Sequence, residues 1–310
     1  MGKCNLGIFF VLLSLIFTGS VQGQSLEWAP FYWQGDTISG KYIEKAYLYI
    51  PVKIDNLPIN FSMQLDLGTG DTQFYGKPIK PYLEELPALA DKLGSFEQYQ
   101  NALFRNINLH IGPVDLIADV WHRYNFGEEI PRDSLYTKTP KHIGTIAPDL
   151  FQNKVLVIDY KACRLAILDN LPTEYADLPA VEFKITNGRI RFPFRIDGKE
   201  CELMFDTGSS PFSLATSKER ALEISDGMIV DSLTGPLWWG REITFYGLKI
   251  NKPVELGGQV FENGTVYYDK EALWVEGVFE PLNIWGLAGN AYFFDNVVIL
   301  DYKNRLFRIK

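Results

Sequence analysis

The chain has 310 residues, 46% of them hydrophobic and 22% charged, and its 38 acidic against 30 basic side chains leave a net charge of −8. That balance argues against nucleic acid as a partner, because neutralising phosphate takes a basic face, while the length suits two units of ordinary domain size. Beyond residue 23 no stretch is long and apolar enough to span a bilayer, so no stable membrane insertion is expected of the chain that follows.

Residues 1–23 read as a secretory signal peptide: Lys3 supplies the positive start, residues 6–17 are apolar apart from Gly7 and Ser14, and Val21-Gln22-Gly23 offers small residues for cleavage before Gln24. An extracytoplasmic location, secreted or periplasmic, is expected; an uncleaved anchor is the alternative. Cys4 precedes the apolar run, which argues against a lipid-anchored cysteine after cleavage. Export permits a disulfide between Cys163 and Cys201, and free thiols are equally consistent with the sequence. The aromatic-rich residues 24–40 read either as a very short prosegment or as an arm packed onto the fold.

From there the pattern is mostly β. Short alternating or apolar runs at 46–54, 107–111, 155–158, 189–196, 243–250 and 297–300 are separated by Gly, Pro, Asn and Asp clusters. Residues 81–94, rich in Leu, Ala, Glu and Lys, read as a helix. Residues 169–179, interrupted by Asn170, Pro172 and Pro179, read as a linker with a boundary near residue 176. The organisation expected is a leader (1–23), an N-terminal lobe (24–175) and a C-terminal lobe (176–310).

Two stretches repeat a single design. Phe61-Ser62-Met63-Gln64-Leu65-Asp66-Leu67-Gly68-Thr69-Gly70 and Leu203-Met204-Phe205-Asp206-Thr207-Gly208-Ser209-Ser210 each run an apolar strand into a carboxylate on a glycine turn. Upstream, Tyr49-Ile50-Pro51-Val52-Lys53-Ile54-Asp55 matches Arg191-Phe192-Pro193-Phe194-Arg195-Ile196-Asp197 without a gap. Downstream, residues 144–161 lie over residues 286–303 in the same way, with Gly144/Gly286, Phe151/Phe293, Val155/Val297, Asp159/Asp301, Tyr160/Tyr302 and Lys161/Lys303 identical. One plan therefore occurs twice in the chain.

On these residues the chain resembles the pepsin-like and retropepsin-like aspartic proteases. The resemblance rests on the duplicated Asp-x-Gly-Ser/Thr turn, the later apolar-apolar-Gly element (His142-Ile143-Gly144 and Ile284-Trp285-Gly286) and the closing strands ending in Asp-Tyr. It implies a mainly β, two-lobed fold with a pseudo-twofold internal duplication, and a peptide or protein substrate. It also implies an Asp66/Asp206 dyad that activates water, with no cofactor and no metal, in a chain that suffices as a monomer. Two such carboxyls share one proton and titrate as a pair, for which this protease class is a standard case. The resemblance further implies that Gly68, Thr69, Thr207, Gly208 and Ser209 support the dyad, with the hydroxyls of Thr69 and Ser209 bonding the carboxylates. A flap bearing an aromatic residue is implied between Asp66 and Gly144. Residues 119–129 are the candidate, with Trp121 or Tyr124 as the aromatic and Tyr99 as a further possibility.

The sequence departs from that family at Leu67, where a Thr or Ser hydroxyl usually links the two turns; Ala147 in place of the Gly289 counterpart is a smaller departure. Leu67 favours the alternative of a catalytically inactive relative binding peptide or glycan in its cleft. His110, His122 and His142 lack metal-pair spacing. Asp159 and Asp301, each at a strand end before Tyr-Lys, read as structural. Trp238, Trp239 and Trp274 read as lining either a cleft or a core.

Overall fold

The computed structural model describes residues 26–38, 40–94, 102–238, 241–262 and 264–310. The leader expected over 1–23, Tyr99 and Trp239 lie outside the described residues. Alternation decides the first long strand: along Lys41–Ile54, the side chains of Ala46, Leu48, Ile50, Val52 and Ile54 are buried and those between them are at least partly exposed, as the two-residue period of a strand on a core requires. Arg189–Ile196 likewise buries Ile190, Phe192, Phe194 and Ile196. Each of these strands leads into an aspartate in the left-handed region, Asp55 at φ 47° and Asp197 at φ 49°, a conformation Asp tolerates better than most side chains. Each then returns as the short strand that carries a site aspartate, Phe61–Leu65 or Lys199–Phe205.

The molecule is mainly β, and its described residues form three sheets. An eight-stranded sheet draws its strands from residues 32–146 and a ten-stranded sheet from residues 184–288. The third, six-stranded, joins Ala29–Pro30, Val155–Asp159 and Arg164–Leu168 to Val181–Glu182, Val297–Asp301 and Leu306–Ile309. At its centre Val155–Asp159 runs antiparallel to Val297–Asp301 with Val157 opposite Ile299. Both sides of the boundary expected near residue 176 therefore contribute strands to one sheet, and Val155, Val157, Ala166, Tyr175 and Ile299 bury a common apolar face there.

The two site strands occupy equivalent places in their sheets. Phe61–Leu65 lies between Lys41–Ile54, antiparallel, and Lys141–Ile146, parallel. Lys199–Phe205 lies between Arg189–Ile196, antiparallel, and Gly286–Ala288, parallel. Gly144 and Gly286 are required by close approach: a Cβ would stand 2.1 Å from the Gln73 carbonyl oxygen at the first and 2.3 Å from that of Ala215 at the second. Only glycine lets the strand that follows each aspartate turn lie so near.

The described part of the aromatic N-terminal stretch is strand: Ala29–Pro30 pairs with Arg164–Leu168, and Tyr32–Ile38 pairs with Lys41–Ile54. The helix expected at 81–94 is displaced. Helices span Gly76–Glu85 and Pro87–Ala90, and Leu93–Gly94 is already strand. Pro87 is the reason for the break, since it pushes Leu86 out of the helical region to φ −120°, ψ 89°. Cys163 and Cys201 are free thiols. Among the described residues no helix is long and apolar enough to cross a membrane.

Candidate active site

Each site aspartate leaves its strand with its backbone tethered in the same way. The Asp66 N–H donates to the Ile146 carbonyl and the Asp206 N–H to the Ala288 carbonyl, both at 2.9 Å. The two turns then meet reciprocally. A Cβ on Gly68 would lie 2.4 Å from Asp206 Cγ, and one on Gly208 would lie 2.6 Å from Asp66 Cγ. Each glycine is thus the space that admits the other turn's carboxylate, and the two carboxyls hydrogen-bond one another.

A buried hydroxyl joins the turns. Thr207 Oγ1 donates to the Leu65 carbonyl at 2.8 Å and accepts from the Leu67 N–H at 2.9 Å. Leu67 returns no such bond and instead places its side chain, fully buried, in the main apolar core. Behind Thr207 the lattice continues: Asn290 Nδ2 donates to the Thr207 carbonyl (2.9 Å) and to Ser210 Oγ (2.6 Å), and the Tyr160 hydroxyl donates to Asn290 Oδ1 (2.7 Å). One site turn is thereby linked to the shared six-stranded sheet.

The support of the two carboxylates is unequal. Asp206 caps a 3₁₀ turn over Thr207–Ser209, which brings the Ser209 N–H (3.1 Å) and hydroxyl (2.9 Å) back onto its oxygens. Asp66 accepts the Gly68 N–H at 3.0 Å and the Thr69 backbone N–H. The expected bond from the Thr69 hydroxyl is absent among the described residues. No helical turn forms after Asp66, so Thr69 stays on the cleft wall and its hydroxyl is not brought back onto the carboxylate.

Burial, and next the charge of Asp206, raises the Asp66 carboxyl well above the ordinary carboxylate range. Burial raises Asp206 too, but the Ser209 hydroxyl and N–H hold it back. The shared proton is accordingly favoured on Asp66 and the charge on Asp206. Both folded values lie above the unfolded ones, so stability present below the ordinary Asp range is lost as pH rises through the folded values. Asp66→Asn should relieve that loss and raise stability near pH 8 by at least about 1 kcal/mol, with a smaller effect near pH 4. Thermal melts of variant and wild type that stay parallel across this range would contradict the coupling.

A cleft of about 940 Å³ opens over the dyad. One wall is the 123–127 turn with Lys77 of the Gly76–Glu85 helix. Another is the Trp274–Leu282 segment, which contains a π-helical turn at Val275–Phe279, and Met204 and Leu287 also line the space. Tyr124 lies on the cleft wall and is 63% exposed. Trp121, by contrast, sits inside the Val114–Arg123 strand, opposite Gln73 on one side and Leu103 on the other. Residues 119–129 are therefore a strand end and a turn, not a hairpin tip, because the strand is paired along both edges. Trp274 lines the cleft.

The remaining sequence candidates fall elsewhere. Asp159 accepts the Ala162 N–H and the Arg164 Nε–H, and Asp301 accepts both nitrogens of Asn304, which are turn-closing roles. His142 stacks on Tyr49 at 4.3 Å and is pushed down to about 4 by burial. Among the described residues no group of three or more His, Cys, Asp or Glu side chains is placed to hold a metal.

Sequence reading missed Arg189, Asn290 and the basic wall of the cleft. Arg189 follows an Asn187-Gly188 pair, a hairpin signal that could have placed it, whereas nothing local marks Asn290. No protein-family model matches the chain, and no curated protein matches it.

Proposed function

We propose that the protein is an aspartic endopeptidase of the pepsin-like or retropepsin-like kind, in which an Asp66/Asp206 dyad activates water against a peptide bond. The observation that carries this reading is the reciprocal packing of the two turns, Gly68 against the Asp206 carboxyl and Gly208 against that of Asp66. Two carboxyls so close hold one proton between them. Asp206, ionised and steadied by Ser209, takes a proton from the attacking water. Asp66, protonated, donates to the carbonyl oxygen as the tetrahedral adduct forms. Water is the nucleophile, and the chemistry calls for no cofactor.

The duplicated sequence, the equivalent strand neighbours of Asp66 and Asp206 and the matched backbone tethers support a two-lobed, internally duplicated fold. In this reading residues 24–175 and 176–310 each contribute one carboxylate, and a single chain suffices. The leader at 1–23 delivers the protein outside the cytoplasm, where it meets peptide or protein substrates.

A second reading, an inert relative whose cleft binds peptide or glycan, is favoured by Leu67 and by the unengaged Thr69 hydroxyl. Turnover of a mixed peptide library between about pH 3 and about pH 8, with and without a statine-type inhibitor, separates the two. The raised Asp66 carboxyl extends the one-proton state upward, so inhibitor-sensitive cleavage should persist above the ordinary Asp range. Folded, processed protein that cleaves nothing at any pH would exclude the peptidase.

A further inference from the structure

The cleft inverts the charge of the molecule around it. The chain carries a net −8, yet the lining contributes two cations that enter no ion pair among the described residues, Lys77 and Arg189, against one carboxylate, Asp206. The dyad holds a single negative charge in its working state, so the space above it is positive.

Arg189 is fixed by the backbone around it. The Asn187-Gly188 turn, at φ 51° and 75°, presses on the first site turn, where a Cβ on Gly188 would stand 2.5 Å from the Gly70 carbonyl oxygen. Arg189, next in the chain, donates Nε–H to the Gly68 carbonyl at 2.9 Å and an Nη1–H to the Asn187 carbonyl at 3.0 Å. Both partners are neutral carbonyls. Among the described residues neither Arg189 nor Lys77 enters an ion pair, and Arg189 Nη2 makes no hydrogen bond to them. A guanidinium fixed through Nε and Nη1 on a cleft lining, with Nη2 left over, is pre-organised for a carboxylate. Across the same cleft Trp274, Val278 and Leu282 offer an apolar surface.

We propose that the cleft selects acidic peptides: a substrate carboxylate pairs with Arg189 in the positive field of Lys77, while Trp274, Val278 and Leu282 cover an apolar neighbour. This rests on the reading of the dyad cleft as a peptide site. Without these cations the charge of the dyad would repel such a substrate; with them the local potential draws it in.

The test uses peptides that differ only by Glu or Gln, placed in turn at each position flanking the cleaved bond. Cleavage is measured with the wild-type protein, and binding by fluorescence anisotropy with Asp206→Asn. At one position Glu should exceed Gln by about tenfold, and the advantage should shrink several-fold at about 0.5 M salt. Arg189→Met should abolish the ratio, Arg189→Lys should restore part of it, and Lys77→Gln should reduce it. A ratio taken within one protein sample cancels any loss of folded fraction.

Ratios at or below one at every position, or a ratio unmoved by Arg189→Met, would overturn the inference while leaving cleavage intact. Selective binding of the Glu peptide without any cleavage would instead leave the inference standing and remove the peptidase reading. No binding of either peptide would remove both.

Discussion

Asp206→Asn is expected to lower kcat/KM for any cleaved peptide by at least about 10³-fold, while the protein becomes no less stable. Asparagine keeps the shape of the side chain and one acceptor for the Ser209 donors, which stand at 2.9 and 3.1 Å, but it cannot take a proton from water. Its neutral amide also removes the charge that raises Asp66, so the neighbouring carboxyl should titrate at lower pH. Loss of activity together with equal or higher thermal stability near neutral pH is the signature of two carboxylates held together against their repulsion. Retention of more than about a tenth of the activity would show that Asp206 is not the base.

Thr207→Val should cost about 2–4 kcal/mol in denaturant unfolding, and Thr207→Ser much less. Valine matches the shape of threonine, so packing is nearly conserved, and the loss isolates the hydroxyl. That hydroxyl serves the Leu65 carbonyl and the Leu67 N–H from a fully buried position. Its removal leaves an acceptor and a donor unpaired where water does not reach. Because Leu67 supplies no reciprocal hydroxyl, the hydroxyl link between the turns rests on this one side chain, and any peptidase activity should fall beyond the loss of folded fraction. A valine variant as stable as wild type would show that the Thr207 hydroxyl is not what joins the turns.

Much of this was legible locally. The period-two burial of Lys41–Ile54 and Arg189–Ile196 follows from side-chain alternation, and the strand into Asp-x-Gly marks both site aspartates from neighbouring residues alone. Gly68 and Gly208, and Gly144 and Gly286, stood out as repeats, and close approach is the reason each is glycine. The helix near residue 81 was displaced because composition located helix formers but not the boundary that Pro87 sets through Leu86.

The sequence by itself determined the strand-rich class, the two carboxylate turns and their likeness, because these depend on periodicity and on turn residues within a few positions of one another. Tertiary structure alone decided what those turns face. It set the Thr69 hydroxyl aside while Ser209 returns to Asp206, since only the second turn closes into a 3₁₀ cap. It placed Trp121 inside a sheet, brought Asn290 beneath Thr207, and seated Arg189 beside Gly68, 121 residues away in sequence. Contacts of that separation depend on how whole sheets pack, and a pattern that repeats every two residues carries no information about which distant face it will meet.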